Sequence, residues 1–171
     1  MPTRNYVEDS LWKNAYDRDR VWRDLPWHLL RKTALELRKS WFSKDRPRHA
    51  YYLVDATPAE VSYRLLKHHF RPGWSLSYHY RSEQLNAARA TLAPPKHEEM
   101  VFQTHIRGYV HGGMVELMAH YEPCPLSHPK AHLHGTGFDA EEGMALLRAV
   151  LQAENLTHER LDPGDDRYRT A

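Results

Sequence analysis

The chain has 171 residues, with 24 Lys and Arg, 22 Asp and Glu, one cysteine and a formal net charge of +2 at pH 7. This length fits one domain with its own core, the lone Cys124 excludes an internal disulfide, and no apolar run approaches the roughly 20 residues of a membrane span. The small net charge does not by itself indicate a polyanionic partner, and the 13 histidines are the compositional outlier.

The sequence predicts three regions, namely an N-terminal arm over residues 1–25, a single domain over residues 26–156 and a polar C-terminal tail over residues 157–171. No charged-then-apolar leader opens the chain, which favours a cytoplasmic location. The first 50 residues are mainly basic and the stretch from Asp139 to Asp166 is mainly acidic. A protein partner, or a homo-oligomer formed through these oppositely charged ends, is therefore one hypothesis.

Residues 26–41 have the spacing of an amphipathic helix, and basic side chains lie on its polar face and in the segment that follows. Basic residues with an aromatic side chain available for stacking are typical of surfaces that contact RNA or DNA. The residues of this candidate nucleic-acid surface are Arg31, Lys32, Arg38, Lys39, Trp41, Lys44, Arg46 and Arg48. A solvated helix face without a ligand is the alternative interpretation.

A short strand over residues 51–54 is followed by a helix with clear start signals. Thr57 is a favourable N-cap, Pro58 suits the first helical position and Glu60 stands where a capping box places an acid. The helix is predicted to run to about Phe70 and to stop before the following Pro-Gly pair.

The middle of the chain is predicted to form strands. Residues 74–81 alternate in part, as in a strand, whereas residues 82–92 fit a strand or a helix. Two strand-like runs, 100–111 and 114–122, are joined by Gly112-Gly113, a composition that favours a two-residue hairpin turn. The sequence therefore predicts a β-hairpin here.

A two-residue turn fixes which residues face each other across the hairpin, and alternation places every second side chain on one face. The predicted pairs on the polar face are His111 with Met114, Tyr109 with Glu116, Arg107 with Met118, His105 with His120, and Gln103 with Glu122. The opposite face is apolar and is the predicted core side.

Three chemistries fit the far end of this polar face. Imidazoles with a carboxylate can bind zinc or manganese, two histidines beside an arginine can cleave a phosphodiester without a metal, and the face can bind an anion without chemistry. Structural packing of the histidines is the alternative. The candidate catalytic residues are His105, His120 and Arg107, and the candidate metal ligands are His132, His134 and Glu122.

The triplet His132-Leu133-His134 follows a proline-broken loop, and its two histidines share a face if the segment is extended. It resembles the histidine-hydrophobe-histidine metal motif of replication and relaxase nucleases, which cut single-stranded DNA with a tyrosine. The resemblance covers three residues and implies metal binding by the two histidines. The next helix, predicted from the N-cap Asp139 with Glu142 in a capping box, contains no tyrosine, so no catalytic tyrosine is assigned.

The order of elements predicts an α+β fold, with a mainly antiparallel sheet and helices on one face as a two-layer sandwich, preceded by a helical N-terminal arm. The predicted function is a small nucleic-acid-directed protein with a histidine-rich, phosphodiesterase- or nuclease-like site on the hairpin face. The alternative is a non-enzymatic nucleic-acid- or protein-binding subunit or regulator. A divalent transition metal, zinc or manganese, is the implied cofactor, and no membrane association is expected.

Overall fold

The computed structural model describes residues 48–73, 80 and 82–165. The elements in chain order are β1 (Tyr51–Val54), α1 (Pro58–Lys67), β2 (Arg71–Pro72), β3 (Glu83–Thr91), a 3₁₀ turn (Pro95–His97), β4 (Phe102–His111), β5 (Met114–Pro123), α2 (Pro129–His134), α3 (Ala140–Ala153) and β6 (His158–Leu161). The predicted N-terminal arm, the helix over residues 26–41 and most of the strand over residues 74–81 lie outside the described residues. Within the described part, no helix combines the length and apolar character needed to cross a membrane.

The strands form one antiparallel sheet in the order β2-β3-β4-β5-β1-β6. The predicted α+β class with a mainly antiparallel sheet is therefore confirmed. The structure also decides residues 82–92, which fitted a strand or a helix, in favour of the strand β3.

The edge strand β6 corrects the prediction that a polar tail begins at residue 157. Leu161 is buried and pairs with Tyr51, and His158 pairs with Val54. The pattern His-Glu-Arg-Leu contains one apolar residue, so its strand character comes from pairing with β1 and not from local periodicity.

The predicted hairpin register is confirmed along the whole length of β4 and β5. His105 faces His120, Arg107 faces Met118, and the remaining predicted pairs are also present. Gly112 and Gly113 have φ values of 56° and 86°. A two-residue turn with both φ values positive matches the twist of the flanking strands, which explains why two glycines determine the register.

The two long helices, α1 and α3, pack in one core against the apolar face of the sheet. Alternation along β4 and β5 sends most of their apolar side chains to this face and the histidines to the other, where Tyr109 and Met118 belong to a smaller apolar cluster. The residues that join in this core include Val61, Leu65, Met144, Leu147 and Leu151 of the helices and Ile106, Val115 and Leu117 of the hairpin.

Both predicted helix starts are capped as expected. The hydroxyl oxygen of Thr57 accepts from the backbone N–H of Glu60 at 3.2 Å, and Asp139 Oδ1 accepts from the N–H of Glu142 at 2.9 Å. The backbone of Asp139 also exchanges two hydrogen bonds with Tyr121, at 2.8 and 2.9 Å. The amino terminus of α3 is therefore tied directly to β5.

Helix α3 approaches β5 most closely at Gly143. A Cβ atom at this position would lie 2.3 Å from the Cα of His120 and 2.5 Å from its carbonyl carbon and nitrogen. These are backbone atoms, so a side chain at residue 143 would force the helix and the strand apart. Glycine thus sets the spacing between α3 and the strand that carries His120.

Candidate metal centre

His105, His120 and Glu122 converge on the polar face of the hairpin. One potential ligand atom from each lies within 4.8 Å of the other two. The register explains this arrangement, because His105 and His120 are directly opposite and Glu122 follows His120 by two residues on the same face. His105 and Glu122 are buried, whereas His120 is partly exposed.

The carboxylate of Glu122 is at the centre of the group. Its Oε1 accepts from Gln103 Nε2 at 2.8 Å and lies 3.0 Å from His105 Nδ1. Its Oε2 lies 3.1 Å from His120 Nε2 and 3.3 Å from His132 Nδ1. Buried carboxylates are stable when they are paired, fully hydrogen-bonded or bound to a metal, and this one is surrounded by nitrogen atoms.

The electrostatics leave an ionised carboxylate beside a neutral imidazole. Burial raises the pKa of Glu122, but hydrogen bonds from His105 and His120 outweigh burial and bring this pKa below its usual range. Burial, together with the positive charge of Arg107, lowers the pKa of His105 to about 4. At neutral pH the negative charge of Glu122 is therefore not balanced by His105.

His105 faces an oxygen atom at each of its ring nitrogens. Its Nδ1 lies 3.0 Å from Glu122 Oε1, and its Nε2 lies 2.9 Å from Asn86 Oδ1. A neutral imidazole has one N–H donor and one lone pair. Either a second proton or a cation between the ring and Glu122 is needed to make both contacts favourable.

Arg107 lies on the same face as predicted, but its guanidinium is engaged with a different carboxylate. It pairs with Glu83 Oε2 at 2.5 Å and lies over the ring of Tyr80 at 4.5 Å from the ring centre. In this structure the guanidinium of Arg107 neutralises Glu83. Its role in stabilising a phosphate stays a prediction.

The segment of His132 and His134 is helical, which corrects the expectation of an extended segment. Pro129 occupies the first turn of α2, and Gly135 ends the helix in the left-handed region with φ 66°. Residues two apart on a helix point in nearly opposite directions, so the two histidines do not share a face. His132 reaches the group and His134 is exposed.

His132 lies beside the carboxylate and donates a hydrogen bond to the backbone. Its Nδ1 lies 3.1 Å from the carbonyl oxygen of Pro123 and 3.3 Å from Glu122 Oε2. Both neighbours are acceptors, so Nδ1 carries the proton and is not available as a metal ligand in this arrangement. His132 therefore supports Glu122, and His134 lies outside the group.

The open side of the group is formed by His120 and His132, whose side chains are 18% and 28% exposed compared with 8% for Glu122. The half-exposed ring of Phe138 lies beside His120, with ring centres 5.1 Å apart. The partly exposed edge of the group therefore lies at His120 and His132.

Most of the candidate nucleic-acid surface cannot be compared with the structure. Arg48 is described and exposed. The members that lie outside the described residues are Arg31, Lys32, Arg38, Lys39, Trp41, Lys44 and Arg46.

The sequence analysis missed the residues that support His105, which lie on β3 and directly after β2. Asn86 contacts His105, and Glu83 contacts Asn86. A Cβ at Gly73 would lie 1.7 Å from Asn86 Oδ1, so glycine makes room for this side chain. The ambiguity of residues 82–92 prevented any assignment of a face to Asn86, and Gly73 was interpreted only as part of the Pro-Gly pair that follows the helix.

Comparisons with protein-family models, curated proteins and solved structures found no match to this chain. The function is therefore inferred from the site itself.

Proposed function

We propose that the protein binds one divalent transition metal ion through His105, His120 and Glu122, with zinc as the first candidate. We further propose that the ion supports hydrolysis of a phosphodiester in RNA or DNA, in the cytoplasm. The observation that supports metal binding is the position of His105 between two oxygen acceptors, with its Nδ1 aimed at the buried carboxylate of Glu122.

The donor set fits this class of metal. Two imidazole nitrogens and one carboxylate oxygen are ligands that zinc accepts readily, and three protein ligands leave one position for water, as in catalytic zinc sites. A cation at this position would balance the charge of Glu122 and would satisfy the lone pair of His105. When bound, zinc lowers the pKa of its water to about 7, which supplies a hydroxide nucleophile at neutral pH.

The substrate proposal depends on charge and access. The group opens to solvent beside His120 and His132, and the basic residues of the candidate nucleic-acid surface would favour a polyanion. Of these basic residues, the exposed Arg48 is the one that the structure describes.

A second candidate function, a non-enzymatic subunit or regulator with structural histidines, is favoured by one specific observation. Four side chains already direct nitrogen atoms at the Glu122 carboxylate: Gln103, His105, His120 and His132. With one imidazole protonated, this network could hold the strands together without a metal ion. Metal content distinguishes the two functions.

The first experiment is elemental analysis of the protein purified without chelators and then dialysed against a slight excess of zinc. The wild type is compared with His120→Ala and Glu122→Gln, with the exposed His134→Ala as the matched control. We expect about one zinc ion per chain in the wild type and in the control, and loss of zinc from the other two variants. A folded wild type without bound metal, or full zinc content in Glu122→Gln, would refute the metal site.

Hydrolysis is tested on bis(p-nitrophenyl) phosphate and on labelled single-stranded RNA and DNA. Zinc-loaded wild type should release product, whereas chelator-treated protein and Glu122→Gln should not. A zinc-loaded protein that cleaves none of these would contradict the hydrolase proposal and would favour the binding subunit.

A further inference from the structure

We infer that Asn86 is a positioning residue that decides which ring nitrogen of His105 binds the metal. This inference rests on the proposed metal site. It assigns Nδ1 of His105 as the ligand atom, with Nε2 carrying a proton that it donates to Asn86.

The orientation of the Asn86 carboxamide is set by Glu83. Asn86 Nδ2 donates to Glu83 Oε1 at 2.6 Å, and Arg107 pairs with Glu83 Oε2 at 2.5 Å. An ionised carboxylate accepts hydrogen bonds and donates none, so the amide nitrogen must face Glu83. The amide oxygen then faces His105 Nε2, at 2.9 Å.

An oxygen acceptor at Nε2 selects the tautomer of the ring. The neutral His105 with its proton on Nε2 has its lone pair on Nδ1, which points to Glu122 Oε1 at 3.0 Å. His120, by contrast, presents Nε2 to the same carboxylate, at 3.1 Å from Oε2. The metal would therefore be bound by different ring nitrogens of the two histidines.

The supporting residues are held firmly. The side chains of Glu83 and Arg107 are 2% and 9% exposed, and the backbone N–H of Gly73 donates to the Asn86 carbonyl oxygen at 2.8 Å. Metal-binding histidines commonly donate their second N–H to such an outer acceptor, which fixes the ring and raises its affinity for the metal. The series of hydrogen bonds from Arg107 through Glu83 and Asn86 to His105 supplies such an outer acceptor, the oxygen of Asn86.

The affinity experiment measures zinc binding by competition with a chromophoric chelator. We expect Asn86→Ala to bind zinc about 10- to 100-fold more weakly than the wild type. The matched control is Gln84→Ala, at an exposed position of the same strand, and its affinity should stay within about twofold. Equal zinc affinity in a folded Asn86→Ala would overturn the inference.

The spectroscopic experiment needs no variant and so does not depend on whether Asn86→Ala folds. Long-range ¹H–¹⁵N correlation spectra of the zinc-loaded wild type should show His105 bound through Nδ1 and protonated at Nε2. Zinc bound through His105 Nε2 would overturn this inference and leave the metal site intact. A wild type that binds no zinc would refute the proposed function, and this inference with it.

Discussion

Replacing Gly143 by alanine sets two physical effects against each other. Intrinsic helix propensity favours alanine by about 1 kcal/mol. The new Cβ, however, would lie 2.3 Å from the Cα of His120, whereas carbon atoms in contact are normally about 3.5–4.0 Å apart. Helix α3 must therefore move away from β5 by at least about 1 Å, because a backbone atom cannot turn aside as the end of a side chain can.

This displacement has a cost that can be estimated. Overpacking of a core typically costs about 1–3 kcal/mol, and a backbone contact belongs at the upper end of that range. Movement of α3 also loosens the buried contacts of Met144 and Leu147. After the propensity gain is subtracted, we expect a net loss of about 2 kcal/mol in the free energy of unfolding.

Thermal unfolding followed by circular dichroism measures the effect. For a chain of this size a loss of about 2 kcal/mol lowers Tm by roughly 4–8 °C. The control is Ala145→Gly, exposed on the same helix, where propensity alone predicts a loss of about 1 kcal/mol and unchanged zinc binding. Because the clash is with the backbone of His120, strand β5 is also expected to shift, and Gly143→Ala should bind zinc more weakly. An unchanged or higher Tm for Gly143→Ala would refute the reasoning.

Three further predictions follow from individual contacts. Asp139→Ala removes the acceptor for the Glu142 N–H and should lower the free energy of unfolding in urea by about 1 kcal/mol, so an unchanged midpoint would contradict the assigned cap. In the metal-free chain the pKa of His105 is about 4, below its ordinary 6.5. As the pH falls, the unfolded state therefore binds this proton at a higher pH than the folded state does. The free energy of unfolding should fall by up to about 3 kcal/mol between pH 6.5 and pH 4. Urea titrations between pH 6.5 and pH 4 measure this loss of stability. If the stability of His105→Gln falls as steeply with pH as that of the wild type, His105 is not the cause. Gly73→Ala places a Cβ 1.7 Å from Asn86 Oδ1 and should weaken zinc binding in the chelator competition, whereas unaltered affinity would show that the carboxamide is not needed.

The hairpin is the part of the site that the sequence predicted best. Gly112-Gly113 determines the turn, the turn determines the register, and the register places His105 opposite His120 beside Glu122. Each of these inferences depends on residues that are close in the sequence, so the pairing could be predicted without knowing which distant parts of the chain are in contact.

The helix starts were predictable for the same reason. Thr57 and Asp139 accept hydrogen bonds from N–H groups three residues later, and such contacts depend on nearby residues alone. The order of predicted strands and helices was also enough to predict the α+β class, which the antiparallel sheet confirms.

His132 and His134 were expected to share a face if their segment is extended, but the segment is a short helix. Pro129 and Gly135, which start and end α2, are ordinary helix signals. A helix of six residues is too short to show a clear apolar period. Its conformation is therefore indicated better by the residues at its two ends than by the spacing of its apolar residues. His132 lies beside Glu122 and His134 is exposed, so the two histidines do not form the paired metal ligands that the resemblance implied.

The supporting residues could not be predicted because they depend on contacts between distant parts of the chain. Asn86 and Glu83 acquire their roles when β3 pairs with β4, and β6 forms because β1 offers a free edge. The spacing of Gly143 from His120 depends on how α3 packs on β5. None of these contacts leaves a local pattern in the sequence.

The central claim is that His105, His120 and Glu122 hold a metal ion. Anomalous diffraction at the zinc edge, from crystals of the zinc-loaded protein, tests it most directly. The claim predicts one strong peak within about 2.0–2.2 Å of His105 Nδ1, His120 Nε2 and a Glu122 oxygen. Zinc bound elsewhere on the chain, with these three side chains still hydrogen-bonded to one another, would contradict it.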